Sequence, residues 1–281
     1  MFIEEDKSEI RGKRALQERW VRVHGVKIRY LESGKGNSKH ILFIHGLGSS
    51  ADRWLDIPDA LSLYFHTIAI DLPGFGGSDK PSTMNYTIKE FREFIVSLMK
   101  EIGIRDGKTS IIGHSLGGYI AAEVAIEYKS LVKKLVLIDS SGMLKQPTPL
   151  LRQYLKAAMN PSKLAVRKVF ERMVADPTTV TSKLVEGFIN RINHPNAKYA
   201  FRRTLANSAN TQIGLSRLKM LRNIPTLIVW GNEDRVIPLE HSRLFKKTIR
   251  DSQIAIIQDA GHAPFSEKPA LVCEILHKFL A

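Results

Sequence analysis

A serine at position 115 has neighbours that suit a nucleophile. The segment "GHSLG" spans residues 113–117 and fits the pattern G-x-S-x-G. An apolar run, "SII", precedes it and an Ala-rich helical pattern follows, which indicates a sharp strand-to-helix turn around the serine. Such a turn strains the serine backbone and leaves no room for side chains beside it, which explains the glycines at 113, 117 and 118. Neither glycine-rich phosphate-loop pattern occurs in the chain, so the spacing predicts Ser115 as a nucleophile.

A serine hydroxyl attacks only when a neighbouring base takes its proton, and a histidine most often supplies that base. His262, in "DAGHAPF", directly follows the last predicted strand, at the sheet edge where open α/β proteins collect their ligands. His45 and His114 lie in motifs that have another use, and His241 and His277 fall on predicted helices. We therefore predict His262 as the general base.

The imidazole in turn needs a carboxylate that holds its tautomer and stabilises the imidazolium. Asp234, in "GNEDRVIP", follows the predicted strand "TLIVW". Asp139 is the rival because "LVLIDSS" also ends a strand with an acid, and Glu233 is a weaker contender. The chain order serine, Asp234, His262 is the order of one known arrangement of this triad, which favours Asp234. Spacing alone leaves Asp139 open.

Attack on a carbonyl builds negative charge on its oxygen, which backbone N–H groups must be placed to meet. Leu116 directly follows the predicted nucleophile, so its amide is one candidate donor. The segment "HGLGSS" offers a second, because glycines at 46 and 48 leave the amide of Leu47 accessible. The sequence predicts an oxyanion hole formed by these two amides.

The elements that must hold these residues alternate along the chain. Short runs rich in Ile, Leu and Val are separated by helical patterns, which indicates an α/β fold with a mostly parallel sheet flanked by helices. The alternation of strands and helices stops between "LVLIDSSG" and "IPTLIVWG", where only helical periodicity is found. We predict a core formed by residues 20–141 and 223–281, a helical cap over residues 142–222, and a mobile leader or extra helix over residues 1–19.

The chain of 281 residues carries a formal net charge of +14, and most of the excess lies in one segment. Residues 142–222 hold fifteen lysines and arginines against three acids. Solvated cap helices would account for this, and so would peripheral contact of the cap with anionic lipid or acidic substrates. No recognition motif or aromatic stacking platform accompanies the charge, so we expect no nucleic-acid partner.

Other features of the composition narrow the class of protein. A single cysteine, Cys273, excludes an intramolecular disulfide and any Cys-based zinc site. The first twenty residues are too charged for a signal peptide, and no apolar run is long enough to cross a bilayer. We expect a cytoplasmic protein.

The chain resembles the α/β-hydrolase superfamily from about residue 20 to its end. The resemblance lies in the motifs "HGLG", "DLPGFGGSD", "GHSLGG", "GNEDRVIP" and "GHAPFSEKP". The resemblance implies the α/β-hydrolase fold and hydrolysis through an acyl-enzyme, with no cofactor and no metal. It is closest in pattern to carboxylesterases and monoacylglycerol lipases, so a small-molecule ester of short to medium acyl chain is the expected substrate. The substrate pocket is expected under the cap, lined by His45, Gly46, Met143, Leu144 and Phe188.

Two alternatives stay open within the resemblance. The cap segment also looks like that of C–C bond hydrolases that cleave meta-cleavage products of aromatic degradation. Their oxyanion loop reads H-G-x-G-P-G, however, their cap arginine would fall near Phe188, and their tryptophan after the catalytic histidine is Ala263 here. These departures favour an ester hydrolase. The other alternative is a non-catalytic ligand-binding member of the fold, against which the complete Ser-Asp-His set argues.

Overall fold

The computed structural model describes most of the chain from residue 16 onward. The predicted leader falls mainly outside the described residues, and residues 17–19 of it belong to the first strand instead. That strand begins at Gln17, three residues before Trp20, the predicted start of the core. The described residues are 16–54, 57–104, 107, 109–209 and 211–281.

Eight strands form one sheet in the spatial order β1-β2-β4-β3-β5-β6-β7-β8. Strand β2 pairs antiparallel with both β1 and β4, and every other neighbouring pair is parallel. The strands are β1 (Gln17–Val23), β2 (Val26–Ser33), β3 (His40–Ile44), β4 (His66–Ile70), β5 (Thr109–His114), β6 (Val132–Ile138), β7 (Thr226–Gly231) and β8 (Gln253–Ile257).

A hairpin of β1 and β2 forms the N-terminal edge of the sheet, and its turn explains the pairing register. His24 and Gly25 form a two-residue loop in which both φ angles are positive, at 49° and 80°. Two consecutive positive φ angles define a turn whose twist matches that of the flanking strands. Val23 therefore pairs with Val26, and the register continues to Gln17 opposite Glu32.

Helices cover both faces of the sheet, as the buried apolar strands require. The larger apolar core contains side chains of α2, α3 and α9, and the core on the opposite face contains those of α1 and α11. Strand residues alternate between the two cores, so Leu42 faces the first and Ile41 and Phe43 face the second. The helices are α1 (Ile57–Leu61), α2 (Ile88–Glu101), α3 (Leu116–Glu127), α4 (Pro149–Met159), α5 (Lys163–Met173), α6 (Ser182–Ile192), α7 (Ala197–Ala209), α8 (Leu215–Leu218), α9 (Glu240–Thr248), α10 (Pro264–Glu267) and α11 (Pro269–Leu280).

Helices α4 to α8 form the insertion between β6 and β7, and the described residues of this interval contain no strand. Several helices begin at a side-chain cap: Thr148, Ser162 and Thr181 each accept a hydrogen bond from a backbone N–H of the first turn. Hydrogen bonds also join the insertion to the core. The hydroxyl of Thr148 donates to the carbonyl of Val236 at 2.9 Å, and the amide of His262 donates to the carbonyl of Met173 at 2.7 Å.

Candidate active site

Ser115 occupies the turn between β5 and α3 with a backbone that few non-glycine residues adopt. Its φ is 53° and its ψ is −117°. A residue held this way stores about 1–3 kcal/mol of strain, which surrounding structure must maintain. The glycines beside it make the turn sterically possible. A Cβ at Gly113 would lie 2.2 Å from the carbonyl oxygen of Gly117, and one at Gly117 would lie 2.1 Å from that of Ile44.

His262 lies beside this hydroxyl, as predicted. It follows β8, is buried, and its Nε2 lies 3.1 Å from Oγ of Ser115. The serine O–H can donate to Nε2 only when Nδ1 carries the ring proton. Nδ1 lies 2.7 Å from Oδ2 of Asp234, and a carboxylate at that position holds the required tautomer. The three side chains form a continuous hydrogen-bonded series.

Asp234 is fixed by the turn that follows β7. Its Oδ1 accepts hydrogen bonds from the amides of Val236 at 2.7 Å and Ile237 at 3.0 Å, while Oδ2 faces the imidazole. Both oxygens of the carboxylate are therefore hydrogen-bonded. Oδ1 fixes the position of the side chain, and Oδ2 holds the imidazole of His262. Of the two acids that the sequence left open, Asp234 is the one that contacts His262.

Asp139 lies directly beside this pair and has a different environment. It is fully buried at the end of β6, and its Oδ1 accepts a hydrogen bond from the amide of Gly231 at 3.0 Å. Its Oδ2 has no donor among the described residues. Burial, and next the charge of Asp234, raise the pKa of the Asp139 carboxyl well above its ordinary value. Asp139 therefore holds its proton where an ordinary aspartate has released it, and it can offer Asp234 a donor.

Ligand atoms of Asp139, Asp234 and His262 lie within 4.8 Å of one another, which raises the question of a metal. The separation of 2.7 Å between His262 Nδ1 and Asp234 Oδ2 is that of a hydrogen bond. Two ligand atoms that share a tetrahedral ion at about 2 Å lie farther apart than this. The geometry of this cluster fits a proton and does not fit a metal ion.

The two predicted oxyanion donors remain free in the described part of the chain. Neither the amide of Leu47 nor that of Leu116 has a hydrogen-bond partner there. Leu116 begins the 12-residue helix α3, whose N-terminal end favours negative charge. Gly46 brings the other loop close, because a Cβ there would lie only 3.1 Å from Cβ of Ser115 and 3.0 Å from Nδ1 of His114. Both amides therefore belong to segments that meet at the serine.

His114 and His45 have structural roles, in line with their exclusion as the base. The Nε2–H of His114 donates to the carbonyl of His262 at 2.6 Å, and burial holds the pKa of His114 well below its ordinary value. His45 donates from Nδ1 to the carbonyl of Gly46 at 2.7 Å and accepts at Nε2 from the amide of Leu72 at 3.0 Å. His114 thus braces the loop of the catalytic ring, and His45 braces the oxyanion loop.

A cavity of about 120 Å³ lies between the core and the insertion, and Ser115 and His262 are part of its wall. Of the predicted pocket residues, Gly46 and Phe188 line it, whereas His45, Met143 and Leu144 do not. Both hydrogen bonds of His45 hold it beneath the loop, and Met143 and Leu144 are buried in the larger apolar core. These three positions are corrections to the sequence prediction.

Several lining residues were missed by the sequence reasoning. Apolar periodicity in α4 and α5 is a signal for Leu151, Tyr154 and Phe170, which face the cavity from the insertion. No such signal exists for Arg53 and Arg191, because a charged residue in an amphipathic pattern is usually expected in solvent. Both arginines line the cavity wall.

The comparisons with known proteins agree with this architecture. Residues 39–269 match a family described as the alpha/beta hydrolase fold. The chain belongs to this family, which confirms the fold predicted from the sequence. None of the helices in the described part of the chain has the length and apolar character that a membrane crossing requires.

Two kinds of hydrolase are found among the individual relatives. The chain is 31% identical over 250 residues to Lipase 3 of Moraxella sp. (strain TA144), covering 86% of this chain and 78% of the lipase. It is 29% identical over 276 residues to 2-hydroxy-6-oxo-6-(2'-aminophenyl)hexa-2,4-dienoic acid hydrolase of Metapseudomonas resinovorans, covering 91% and 88%. The solved structure of a serine-to-alanine mutant of the meta-cleavage product hydrolase from Pseudomonas fluorescens IP01, complexed with acetates, superposes with a TM-score of 0.83 at 25% identity, covering 93% of this chain and 96% of that chain.

Proposed function

We propose that this protein is a serine hydrolase that cleaves carboxylic esters of short to medium acyl chain through an acyl-enzyme. The observation that carries the proposal is the 3.1 Å approach of Ser115 Oγ to His262 Nε2, facing two unpaired backbone amides. The relationship to Lipase 3 adds support for ester chemistry.

In the proposed acylation each step has a named atom. As Ser115 Oγ attacks the ester carbonyl carbon, its proton moves to Nε2 of His262. Asp234 stabilises the imidazolium that results, and the amides of Leu47 and Leu116 hold the charge on the carbonyl oxygen. His262 then returns the proton to the alcohol oxygen as the carbon–oxygen bond breaks.

Deacylation repeats these roles with water. Nε2 of His262 takes a proton from a water molecule while the water oxygen attacks the acyl carbon. The second tetrahedral intermediate collapses to the free acid, and the proton returns to Ser115 Oγ. No residue outside this set is needed to balance the protons.

A second candidate is cleavage of a carbon–carbon bond in a meta-cleavage product. Similarity to the dienoic acid hydrolase favours it, and so does Arg191. From the resemblance in sequence, the cap arginine of such enzymes was expected near position 188, where this chain has Phe188. Arg191 lies about one helical turn farther along α6 and reaches the same cavity, which weakens that part of the argument against carbon–carbon cleavage.

The discriminating experiment compares kcat/KM for 4-nitrophenyl esters of increasing acyl length with kcat/KM for a vinylogous 1,5-diketone carboxylate. We expect the esters to react faster, with a drop of about 10⁶ in kcat for Ser115→Ala if the triad acts as a unit. Faster turnover of the diketone would assign the protein to carbon–carbon cleavage. Ligand binding without any turnover by the parent would identify a non-catalytic member of the fold.

A further inference from the structure

Two arginines interrupt an otherwise mainly apolar cavity wall. Arg53 belongs to the short turn of residues 51–54, just after the oxyanion loop, and Arg191 belongs to the last turn of α6. Both line the same cavity as Ser115. Neither arginine has a role in the catalytic triad or in the oxyanion hole.

Neither arginine has a carboxylate partner among the described residues. Arg53 donates from a terminal nitrogen to the hydroxyl of Ser266 at 3.2 Å, which is a neutral acceptor. Arg191 makes no hydrogen bond or ion pair there, and its Nε is buried without an acceptor. By contrast Arg29 and Arg92, whose side chains are largely enclosed, are each paired with an acid.

The acids nearest to Arg191 are already engaged by a third arginine. The guanidinium of Arg29 contacts Asp52 at 2.9 Å and Asp71 at 3.2 Å. Asp71 also accepts hydrogen bonds from the amides of Ala51 and Gly77. These carboxylates pair directly with Arg29, and they act on Arg191 only through longer-range charge.

Enclosed positive charge without a counterion is unfavourable, because a charged group loses solvation that nothing replaces. Burial is the main reason that the pKa values of Arg53 and Arg191 are lowered, and the charge of Arg191 lowers the pKa of Arg53 further. Guanidinium groups nevertheless stay protonated in proteins. A bound anion would satisfy both groups, and a carboxylate fits the planar fork of a guanidinium through two parallel hydrogen bonds.

The helix geometry aims Arg191 at the substrate space. Leu184, Phe188 and Arg191 lie four and three residues apart on one face of α6, and all three line the cavity. Gly187 leaves room for the guanidinium to lie back over the preceding turn, since a Cβ there would be 3.2 Å from a terminal nitrogen of Arg191. Helical side chains normally point in this direction, toward the N-terminus of the helix.

We propose that Arg53 and Arg191 form a subsite for a carboxylate on the substrate, so that the preferred ester is one whose acyl or alcohol part carries a free acid group. This inference rests on the proposed ester hydrolysis and specifies its substrate class. The apolar wall between the arginines and the serine would hold the connecting chain. Neutral esters lack the group that compensates the two charges, and amines would be repelled by them.

A pair of substrates that differ only in charge tests the subsite. The mono-4-nitrophenyl ester of suberic acid carries a free carboxylate at the far end of its acyl chain, and 4-nitrophenyl methyl suberate carries a methyl ester there. We expect the parent to favour the acid over the methyl ester by about 10-fold or more in kcat/KM, the range for a hydrogen bond between charged groups. The difference should appear mainly in KM.

Variants assign that preference to the arginines. Arg191→Gln and Arg53→Gln should each lower the acid-to-methyl-ester ratio of kcat/KM by about 10-fold. The matched control is Arg202→Gln, which removes the same charge from an exposed position on α7 and should leave the ratio as in the parent. Circular dichroism checks that each variant is folded. A parent that favours the methyl ester, or a ratio that Arg191→Gln and Arg202→Gln change equally, would overturn the subsite.

A binding experiment separates failure of the subsite from failure of the proposed function. Calorimetry measures the binding of monomethyl suberate to Ser115→Ala protein and to the Ser115→Ala/Arg191→Gln double variant. Binding that is about 10-fold weaker in the double variant supports the subsite even if neither ester is hydrolysed. Equal binding to both proteins contradicts it even if esters are hydrolysed through Ser115.

Discussion

At the scale of single residues, the site depends on two aspartates that share one buried corner in different protonation states. Asp234 orients His262 at 2.7 Å, whereas burial, and next the charge of Asp234, raise the pKa of Asp139 and favour its protonated form. Like charges this close cannot both ionise without a large penalty, so one of them takes the proton. The protonated carboxyl of Asp139 can then donate a hydrogen bond to the carboxylate of Asp234.

Exchange of each carboxyl for an amide distinguishes these roles. Asp234→Asn should lower kcat by about 10⁴, because an amide no longer fixes the tautomer that leaves Nε2 of His262 free. Asp139→Asn replaces a neutral acid by a neutral amide of similar shape, so kcat should fall by less than about 10-fold. Steady-state kinetics on one ester measures both. A larger loss in Asp139→Asn than in Asp234→Asn would exchange the two assignments.

The raised pKa of Asp139 also predicts how stability depends on pH. The folded protein keeps this proton at pH values where the unfolded chain, with an aspartate pKa of about 3.9, has released it. The folded state therefore binds more protons here, and its stability decreases as the pH rises above about 4. Asp139→Asn removes this titration. The free energy of unfolding of the variant should therefore increase relative to that of the parent between about pH 4.5 and pH 7.5. Urea denaturation at several pH values measures the difference, and a difference independent of pH would contradict the assignment.

At the scale of secondary structure, the strand-to-helix turn requires close contact between backbones. The position of a Cβ at residue 117 would lie 2.1 Å from the carbonyl oxygen of Ile44, which β3 holds in the centre of the sheet. Neither partner can yield easily, because β3 is paired on both sides. The close approach is also what brings the Leu47 loop to the serine.

Gly117→Ala should therefore destabilise the protein by about 1–3 kcal/mol and lower kcat, since relief of the clash moves α3 away from β3. Gly214→Ala is the matched control. The nearest atom to a Cβ there is 3.8 Å away, so its effect should stay within about 0.5 kcal/mol. Chemical denaturation measures the free energy of unfolding for both. Equal effects at the two positions would show that the contact at residue 117 does not matter.

The sequence predicted the elements well because their signals are local. Apolar runs predicted the strands, helical periodicity predicted α4 and α5, and the turn glycines located Ser115 and both oxyanion amides. The pocket was predicted less well, because the rotation of each cap helix against the core depends on packing between distant segments. Met143 and Leu144 are apolar and follow a strand, yet they fill the core. Arg191 is charged, yet it faces the cavity.

At the scale of the whole molecule, the distribution of charge sets the insertion apart from the core. Its exposed basic side chains have few acids near them in sequence, and most of them make no ion pair in the described part of the chain. We propose that this basic surface makes peripheral contact with anionic lipid. The same charge also keeps the cap helices solvated. The exposed bases are Lys145, Arg152, Lys156, Lys163, Lys168, Arg172, Lys183, Lys198, Arg202, Lys219 and Arg222.

Replacement of five cap lysines by glutamine tests this contact. Each basic residue near an anionic membrane contributes about 1 kcal/mol, so the fivefold variant should bind vesicles containing phosphatidylserine at least about 10-fold more weakly. Vesicle sedimentation at low and high salt measures the binding. A control with five exposed core lysines replaced should bind nearly as the parent does, and equal loss in both would indicate general attraction of charge. The cap set is Lys145, Lys156, Lys168, Lys183 and Lys198, and the core set is Lys89, Lys100, Lys129, Lys247 and Lys278.

The most direct measurement for the central claim is the mass of the covalent intermediate. The protein is mixed with 4-nitrophenyl butyrate, quenched with acid within milliseconds, and digested for mass spectrometry. Attack by the activated hydroxyl predicts a butyryl group on the peptide that contains Ser115, and none in the Ser115→Ala variant. Continued turnover by that variant, or a butyryl group that forms at the same rate on another residue, would contradict the account.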